Sequence, residues 1–227
     1  MKKLIVFTGA GISAESGLRT FRDSNGLWEE YDILEVATPK AWSKNPKLVL
    51  DFYNKRKIQV RDAEPNLAHK LVAELEEKYD VHVITQNIDN LHERAGSSNV
   101  LHLHGIITKS RSTVDETLIY DVGFDAINIG DKCEKESQLR PHIVWFGEDV
   151  PNMAKAYELV EKADILIIIG TSLNVHPAAD LIHKAPDKSD KFLIDPNEIW
   201  GVDIENLTII TEKATTGMQQ LVSKLPN

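Results

Sequence analysis

The longest uninterrupted apolar run in the chain is the Ile-Leu-Ile-Ile-Ile of residues 165–169. A run this short that is apolar at every position is typical of a strand covered on both faces. Further apolar stretches bring the predicted strands to residues 4–8, 81–85, 164–169, 191–194 and 207–211. A chain with several such strands is restricted to a sheet with helices packed on both sides.

Helical patterns separate these strands. Apolar residues recur at helical spacing within 66–78, and Asn45 with Pro46 forms a cap and first-turn proline for a helix to about residue 60. Further helices are predicted over residues 88–95, 152–162 and 215–225. This alternation predicts an α/β fold with a Rossmann-like parallel sheet, whose ligands bind at the carboxyl ends of the strands.

Two segments interrupt the alternation. Residues 23–62 insert a loop and a helix where a simple nucleotide-binding fold has its second strand, and residues 107–140 are polar, irregular and strand-like only near 117–120. We therefore expect a single folded unit, with a small domain built from these two insertions and the expected site in the cleft beside it. The large Rossmann-like part comprises residues 1–22, 63–106 and 141–227.

Composition excludes several classes of protein. The 227 residues carry a net charge of −9, which disfavours nucleic acid as a partner because phosphate contacts need clustered Lys and Arg. The longest apolar run is far shorter than the roughly 20 residues of a membrane helix. Cys133 is the only cysteine, which excludes an intramolecular disulfide and an all-cysteine zinc site. No export signal precedes the first strand, so we expect a cytoplasmic protein with no membrane partner.

The first predicted strand runs directly into Gly-Ala-Gly-Ile-Ser-Ala, residues 9–14. Between a strand and a helix, such glycines allow a tight turn and let a pyrophosphate approach the backbone. A tight turn with close helix packing is the alternative. Residues 19–22, Arg-Thr-Phe-Arg, add two arginines and an aromatic side chain, which suggests a lid over a bound ligand. The alternative for this segment is a solvated basic loop.

Polar side chains follow the second predicted strand, in Thr-Gln-Asn-Ile-Asp-Asn-Leu-His at residues 85–92. Gln86, Asn87 and Asp89 would lie where the sheet meets the cleft. Their amide and carboxylate groups can hold ribose hydroxyls and a carboxamide. A helix cap from Asn87 or Asp89 is the alternative. The three groups together favour a site.

Two histidines follow in Leu-His-Leu-His-Gly, residues 101–105. In a strand, His102 and His104 would point to the same face because they are two residues apart. A neutral histidine is the usual general base near pH 7, whereas a lone strand histidine is more often a structural group. A metal pair formed by His102 and His104 has no obvious third ligand.

Residues 141–148, Pro-His-Ile-Val-Trp-Phe-Gly-Glu, are predicted to be extended as far as their glycine. Extended backbone with exposed Trp145 and Phe146 could accept a peptide by strand addition, with core packing of the aromatic rings as the alternative. Two further candidates for phosphate or ribose contacts end the following strands. They are Gly-Thr-Ser at residues 170–172 and Asp-Pro-Asn at residues 195–197.

Taken together, these motifs resemble those of the sirtuins, which are NAD-dependent protein lysine deacylases. The matching segments, in chain order, are GAGISAESGLRTFR, TQNIDNLHERAG, HG, PHIVWFGE and GTS. The match extends from about residue 3 to residue 215. The resemblance implies NAD as the cofactor and acylated lysine side chains of proteins as substrates. The implied products are nicotinamide, O-acyl-ADP-ribose and free lysine.

The resemblance also implies a role for each matching residue. His104 would be the general base that takes a proton from a ribose hydroxyl, and Asn87 would be the second catalytic residue. Arg22 would lie over the pyrophosphate, and Phe21 would shield the reactive ribose. The substrate peptide would pair with Val144, Trp145, Phe146 and Gly147. The implied cofactor-binding set is Gly9, Ala10, Gly11, Ser13, Glu15, Thr20, Phe21, Arg22, Trp28, Gln86, Asn87, Asp89, His104, Gly170, Thr171, Ser172, Asp195, Pro196, Asn197 and Ala214.

A second resemblance concerns the acyl group. Tyr53 and Arg56 are three apart and so share one face of the predicted helix. Sirtuins that remove succinyl and malonyl groups carry Tyr-x-x-Arg at this place. A guanidinium can hold a distal carboxylate by two parallel hydrogen bonds, and the phenol adds a third. A surface tyrosine and a solvated arginine are the alternative. We expect removal of acetyl groups and also of succinyl or malonyl groups.

The chain departs from the family pattern in one segment. Most sirtuins hold a zinc ion with four cysteines in the part corresponding to residues 107–140. Here Lys-Ser-Arg-Ser stands where the first cysteine pair belongs, and one thiolate, Cys133, with Ser112 and Glu134 does not make a tetrahedral zinc site. We therefore expect no metal. The small domain would then be held by packing of Val114, Leu118, Ile119, Tyr120, Phe124 and Ile127.

Two other functions stay open from sequence alone. A sirtuin-like ADP-ribosyltransferase or NAD glycohydrolase would use the same cofactor, but it would need neither Tyr53 and Arg56 nor the segment 141–148. A non-catalytic NAD-sensing protein would need no base at His104. The sequence identifies no particular protein substrate, and we expect a monomer.

Overall fold

A computed structural model describes residues 1–19, 31–171, 173, 176–197 and 204–225, and the backbone of residues 27 and 28. Its strands are β1 Lys3–Thr8, β2 Leu27–Trp28, β3 Tyr31–Asp32, β4 Asp80–Thr85, β5 Val100–His102, β6 Gly105–Ser112, β7 Ile119–Asp121, β8 Leu139–Ile143, β9 Ile165–Ile169, β10 Asp190–Ile194 and β11 Leu207–Ile210. Its α-helices are α1 Gly11–Ala14, α2 Ile33–Val36, α3 Pro39–Lys44, α4 Pro46–Asp62, α5 Leu67–Glu74, α6 Leu91–Ala95, α7 Met153–Val160 and α8 Ala214–Val222.

The main sheet has six strands in the order β11-β10-β9-β1-β4-β5, and every neighbouring pair is parallel. All five predicted strands are confirmed as members of it, with ends displaced by one residue. The sixth, β5, is only three residues long and half-buried, and so it carries no run of apolar residues that would mark it. The predicted Rossmann-like α/β fold is therefore confirmed.

Apolar residues cover both faces of this sheet, which is why its strands are apolar at consecutive positions. On one face Leu4, Val6 and Ile167 pack in a single cluster with side chains of α5 and α8. On the other face Phe7 and Ile168 pack with α7 and with the 3-10 helix Ala178–Lys184.

All strands of this sheet run in the same direction, but the order in which they are added along the chain reverses at the middle of the sheet. From β1 the chain moves outward through β4 to β5, and it later returns beside β1 at β9 before it continues to β10 and β11. In open parallel sheets the crevice at such a switch point, beyond the carboxyl ends of the strands, is the ligand-binding position. The ends of β1 and β9 therefore define where the site lies.

Two smaller antiparallel sheets flank the main one, β7-β6-β8 and β2-β3. The helix α4 begins where expected, because Asn45 Oδ1 accepts a hydrogen bond from Leu48 N at 3.1 Å and Pro46 takes the first turn. Its buried face joins a third core cluster with β6 and β8. At 17 residues α4 is the longest helix, and within the described ranges none combines the length and apolar character needed to cross a membrane.

Some helix predictions were wrong in extent. The helix predicted over residues 88–95 is confined to α6, because Asp89 Oδ1 accepts a hydrogen bond from Leu91 N and residues 86–90 form an irregular loop. The helix predicted over residues 66–78 continues beyond α5 only as the 3-10 turn Leu75–Glu77. The short helices α2 and α3 in the first insertion were not predicted, since neither is long enough to show a helical period.

The predicted packing of the segment 107–140 was also wrong in part. Val114 is 68% exposed and Ile119 is 43% exposed, while Ile127 is buried. Polar contacts with α4 fasten this segment instead: Asn54 bonds both the N–H and the carbonyl of Ile127, and Lys57 Nζ donates to the carbonyl of Asp125 at 2.6 Å. Burial lowers the pKa of Lys57 to about 8, although the nearby negative charge of Asp125 acts to raise it.

Replacing Asn54 with alanine is expected to lower the free energy of unfolding by about 1–3 kcal/mol, because two backbone groups of Ile127 lose their partner. Denaturant unfolding measures the change. Asn99→Ala is the matched control, since Asn99 makes a long 3.4 Å bond to the carbonyl of Val81 and a second bond to Ser98. Equal stability losses in the two variants would contradict a fastening role for Asn54.

Candidate active site

The loops that follow β1 and β9 approach each other closely at the switch point. The N–H of Gly11 donates to the carbonyl of Gly170 at 2.8 Å, and a Cβ on Gly11 would lie 2.5 Å from the Cα of Gly170. Gly170 has φ +61°, and a Cβ there would lie 2.4 Å from the N of Ile12. The close packing that was the alternative explanation for the glycine motif is therefore observed at these two residues. Both glycines also line the cleft.

Asn87 and Asp89, which follow β4, form a chain of hydrogen bonds with residues 9–14 after β1, the glycine loop. Asn87 Nδ2 donates to the carbonyl of Gly9 at 3.1 Å and to Ser13 Oγ at 3.2 Å, and Ser13 Oγ donates to Asp89 Oδ2 at 3.1 Å. Gln86 Oε1 accepts a hydrogen bond from the hydroxyl of Thr171 at 3.0 Å. Burial raises the pKa of Asp89, and the hydrogen bonds from Leu91 N and Ser13 oppose that rise. Asp89 is not the N-cap of α6, which is Asn90, but it accepts a hydrogen bond from the first N–H of that helix and also lines the cleft.

The two histidines do not lie on one strand. β5 ends at His102, and His104 stands in the bend before β6. The Nδ1 atoms of both rings contact successive carbonyls, those of Asn87 at 2.9 Å and of Gln86 at 3.0 Å. The close backbone approach at Gly105, where a Cβ would lie 2.0 Å from the carbonyl oxygen of His142, fixes the chain next to His104.

The protonation state of His104 follows from its partner. A carbonyl only accepts, so Nδ1 carries the hydrogen and Nε2 is the basic atom of the neutral ring. Burial lowers the pKa of His104 below its ordinary value, and the bond to the carbonyl of Gln86 opposes this only in part. His104 is therefore a neutral imidazole near pH 7 and is suited to accept a proton.

The segment 144–147 lies along the other wall of the cleft, directly after β8. The expectation that both of its aromatic side chains are exposed was wrong for Trp145, which is buried, and right for Phe146, which is 47% exposed. The ring of Trp145 stacks against the guanidinium of Arg140, whose carbon lies 3.2 Å from the ring centroid. Its indole N–H also donates to the hydroxyl of Tyr53 at 3.1 Å.

Glu148 holds this segment in place. Its carboxylate accepts hydrogen bonds from Arg140 Nη1 at 2.7 Å and from the backbone N of Trp145 at 2.8 Å, and it also contacts Arg111. The backbone N–H groups of Val144 and Phe146 are used inside the protein, by the carbonyls of His104 and Ala37. The N–H of Trp145 is occupied as well, by Glu148, so the peptide pairing expected from the sequence would have to use other backbone groups of this segment.

Tyr53 and Arg56 lie together on the inward face of α4, and their prediction as neighbours is confirmed. They are 1% and 7% exposed, which rules out a surface tyrosine and a solvated arginine. Arg56 Nη1 donates to Gln59 Oε1 at 3.2 Å, and Tyr53 accepts the bond from Trp145. Burial raises the pKa of Tyr53, although the hydrogen bond with Trp145 and the charge of Arg140 act against it, so the phenol is neutral.

A further part of the cleft lining comes from the residues after β10 and from the start of α8. Asp195 is buried, and its Oδ1 accepts from both the N and the Nδ2 of Asn197, at 3.0 and 3.1 Å. Glu15 accepts from the backbone N and the hydroxyl of Thr215, which ties the end of the glycine loop to α8 beside Ala214. The carboxylate of Glu15 thus has a structural partner in addition to its place in the cleft.

The resulting cleft has a volume of about 640 Å³ and brings together nearly all of the predicted residues that are described. Its lining includes Ala10, Gly11, Ser13, Glu15, Tyr53, Arg56, Gln86, Asn87, Asp89, His104, Val144, Trp145, Phe146, Gly147, Gly170, Thr171, Asp195, Pro196, Asn197 and Ala214. Gly9 lies behind this lining, where a Cβ would meet Gln86 Oε1 at 3.1 Å. Thr20, Phe21, Arg22, Ser172 and the side chain of Trp28 lie outside the described residues.

Sequence reasoning missed several residues of the lining. Ala37, Val60 and Lys213 come from elements far apart in the chain, and no local pattern marks them. His176 and Pro177 line the cleft as well. Glu148 ends the motif of residues 141–148, but its pairing with Arg140 was not predicted. The signal that could have suggested this pair is a carboxylate that follows an arginine after eight residues.

The segment that corresponds to the family's zinc site has no donor set for that metal. Cys133 is buried, and its thiol lies 3.3 Å from Ser112 Oγ, to which it donates. Over the described residues, no three His, Cys, Asp or Glu side chains are grouped to hold a metal ion. The residues present do not fit a tetrahedral zinc ion.

A doubly wound α/β sheet with a cleft at its switch point places this chain in the Rossmann-like class, in which such a cleft is the usual nucleotide-binding position. The sequence profile of the Sir2 family matches residues 9–177. An NAD-dependent protein deacylase of Helicobacter pylori is 53% identical over 225 residues, which cover 99% of this chain and 98% of that protein. The chain therefore belongs to the Sir2 family, the sirtuins.

Solved structures support the same membership. A Sir2 homologue in complex with NAD superposes with a TM-score of 0.88 at 41% identity, covering 98% of this chain and 89% of that one. A second Sir2 protein, in complex with a deacetylated p53 peptide and 3′-O-acetyl ADP-ribose, has a TM-score of 0.82 at 31% identity, covering 97% and 92% of the two chains.

Proposed function

We propose that the cleft binds NAD and an acylated lysine together and transfers the acyl group from the lysine to the ADP-ribose of NAD. One observation carries this proposal: a single cleft is lined by the glycine loop, by the basic histidine His104 and by the segment 144–147. The protein is thus an NAD-dependent protein lysine deacylase, and its Helicobacter pylori relative is named an NAD-dependent protein deacylase. A pure NAD sensor would need no base at this position.

The donors and acceptors around the glycine loop fit NAD. Gln86, Asn87 and Asp89 present amide and carboxylate groups beyond the carboxyl end of β4, where a carboxamide and ribose hydroxyls can bond. Thr171 and residues 195–197 line the same cleft, where they would contact the adenosine side of NAD. Bound NAD would supply a nicotinamide leaving group and a ribose that accepts the acyl group. Thr20, Phe21, Arg22, Trp28 and Ser172 complete the proposed set by the family pattern.

The proposed general base is His104. Its Nδ1 is held by the carbonyl of Gln86, which aims the other ring nitrogen, Nε2, as the atom that takes a proton from a ribose hydroxyl. Asn87 is the second proposed catalytic residue, and its amide is held by Gly9 and Ser13. Because the reacting ribose must be kept from water, a half-buried base inside a cleft suits this chemistry better than a fully exposed one.

For the acyl group, we propose that Tyr53 and Arg56 hold a distal carboxylate. Both are buried on the same face of α4 and line the cleft that also contains His104. A buried guanidinium favours a ligand that brings a negative charge, and a planar fork suits a carboxylate. Succinyl and malonyl groups provide such a carboxylate, whereas an acetyl group leaves this end of the cleft without one.

We also propose that the two parts expected from the sequence form the walls of this cleft. Residues 1–22, 63–106 and 141–227 would form the large part that holds NAD, and residues 23–62 and 107–140 would form the small part that carries Tyr53 and Arg56. A variant in which short linkers replace residues 23–62 and 107–140 tests the division, because the remaining large part should still bind NAD in a titration.

Mass spectrometry of parallel reactions on succinyl-lysine and acetyl-lysine peptides, with and without NAD, tests the function. NAD-dependent loss of the succinyl group with formation of O-succinyl-ADP-ribose is the expected result. Loss of acetyl alone would retain the deacylase and exclude the carboxylate-binding role of Tyr53 and Arg56. Release of nicotinamide and free ADP-ribose with both peptides intact would instead identify an NAD glycohydrolase.

The acid limb of the pH profile is expected to lie below the ordinary histidine pKa of about 6.5. Only neutral His104 can accept a proton, and burial lowers the pKa at which it becomes charged. The value of kcat/KM should therefore stay constant as the pH falls through 6.5 and should decrease only at more acidic pH. Measuring kcat/KM against pH, which reports the free enzyme, checks this expectation. A limb at or above 6.5 would be inconsistent with a buried neutral base.

A further inference from the structure

His102 lies between two groups that can only accept hydrogen bonds. Its Nδ1 is 2.9 Å from the carbonyl oxygen of Asn87, and its Nε2 is 2.8 Å from Oε1 of Glu93. A neutral imidazole has one N–H and could satisfy only one of these acceptors. With Glu93 ionised, both bonds require a ring that is protonated on both nitrogens.

The surroundings of His102 favour this positive charge. Burial by itself would lower its pKa, but the hydrogen bond and charge of Glu93, the carbonyl of Asn87 and the charge of Asp89 together raise it. The other titratable groups that face the pair are His92 on α6, His142 on β8 and Lys109 on β6. Burial lowers the pKa of both histidines, so they are neutral near pH 7 and do not repel the ring.

His102 and His104 thus differ in charge although they are two residues apart. Both hold a carbonyl of the loop after β4, but only His102 has a carboxylate on its second nitrogen. Pairs of titratable groups whose environments separate their pKa values take different roles in a site. The neutral His104 is available as a base, and the charged His102 is not.

We propose that His102, held as an imidazolium by Glu93, is a positioning residue that fixes the backbone of Asn87 in the cleft. The backbone of Asn87 is then held on both sides, since its N–H donates to Thr85 Oγ1 at 3.0 Å. Its side-chain amide is thereby directed at the carbonyl of Gly9 and at Ser13. A hydrogen bond from a charged donor is stronger than one from a neutral ring, which explains the use of Glu93. The proposal rests on the function proposed for this cleft.

Two substitutions of His102 separate the two bonds. In His102→Asn the amide nitrogen takes the place of Nδ1, so this variant keeps the bond to the carbonyl of Asn87. In His102→Gln the amide nitrogen takes the place of Nε2, so this variant keeps only the bond to Glu93. We expect His102→Gln to lower kcat by about 10-fold or more, and His102→Asn by no more than about 3-fold. The KM for the peptide should stay within about twofold in both, because residues 144–147 are held by other groups.

Glu93→Gln tests the charge without removing the ring. Nitrogen-15 NMR of the imidazole is expected to show both nitrogens of His102 protonated at pH 7 in the wild type and one in the variant. The ratio of the variant's kcat to that of the wild type should then rise as the pH is lowered and the ring regains its proton. Asp80→Asn is the matched control, since Asp80 faces His82 at the amino end of β4, away from the cleft.

Three results would overturn the proposal: a singly protonated His102 in the wild type, equal kcat values for His102→Gln and His102→Asn in variants of equal thermal stability, or a pH-independent ratio for Glu93→Gln. The NMR measurement needs no substrate. A doubly protonated ring in a protein without NAD-dependent deacylation would therefore count against the proposed function and leave the charge assignment intact.

Discussion

Replacing His104 with alanine is expected to lower kcat for deacylation by about 10²–10⁴-fold, the usual contribution of a general base. His104 is the imidazole in the cleft whose basic nitrogen is defined by its other partner, the carbonyl of Gln86. Alanine removes the proton acceptor and leaves the glycine loop with its hydrogen bonds from Asn87. Product formation is measured by mass spectrometry, and NAD binding by calorimetry, where a change of less than about tenfold is expected.

His82→Ala is the control for this experiment. His82 is half-buried like His104, but it is a residue of the main sheet near the start of β4, beside Lys3 and Asp80. We expect this variant to deacylate at the wild-type rate. Turnover by His104→Ala at a rate close to that of the wild type would assign the base to another group.

Replacing Arg56 with methionine is expected to lower kcat/KM for a succinyl-lysine peptide by about 100-fold and for an acetyl-lysine peptide by less than about threefold. A hydrogen-bonded charge pair contributes roughly 1.5–3 kcal/mol, and each 1.4 kcal/mol is a factor of ten. Methionine keeps most of the apolar volume on the inward face of α4 but offers no donor. Parallel kinetics on the two peptides measure the difference.

Arg61→Met is the matched control on the same helix. Arg61 is about half exposed and pairs with the neighbouring Asp62. Its loss should leave both reactions unchanged, because an exposed pair of this kind contributes little. Equal losses of desuccinylation and deacetylation in Arg56→Met would show that Arg56 supports the fold of the cleft and does not select the acyl group.

The parts of the fold that were predicted from sequence are those with strong local patterns. The strand β9 is buried on both faces, so the requirement for apolar side chains falls on every residue and is visible in the sequence. The cap at Asn45 with Pro46 marks the start of α4 for a similar reason, since both act within the first turn. The three-residue β5 lacks any such pattern, because it is defined by pairing with β4.

The predictions that failed concern environments made by distant parts of the chain. Trp145 was expected to be exposed, but Arg140 and Tyr53 cover it. Val114 was expected to pack inside, but it is 68% exposed. The segment around Ile127 is held by Asn54, which is 73 residues away in the chain. Burial depends on which elements meet in space, and no short window of sequence contains that information.

By itself, the sequence determined the fold class and the strands that meet at the switch point, because both are encoded in local patterns. It also identified most residues of the cleft, through motifs that resemble those of the sirtuins. The tertiary structure alone decided the state of those residues. It made His104 neutral by giving it one carbonyl partner and made His102 charged by adding Glu93. Protonation depends on the acceptors and the burial around a side chain, and several elements of the fold must come together before either is defined.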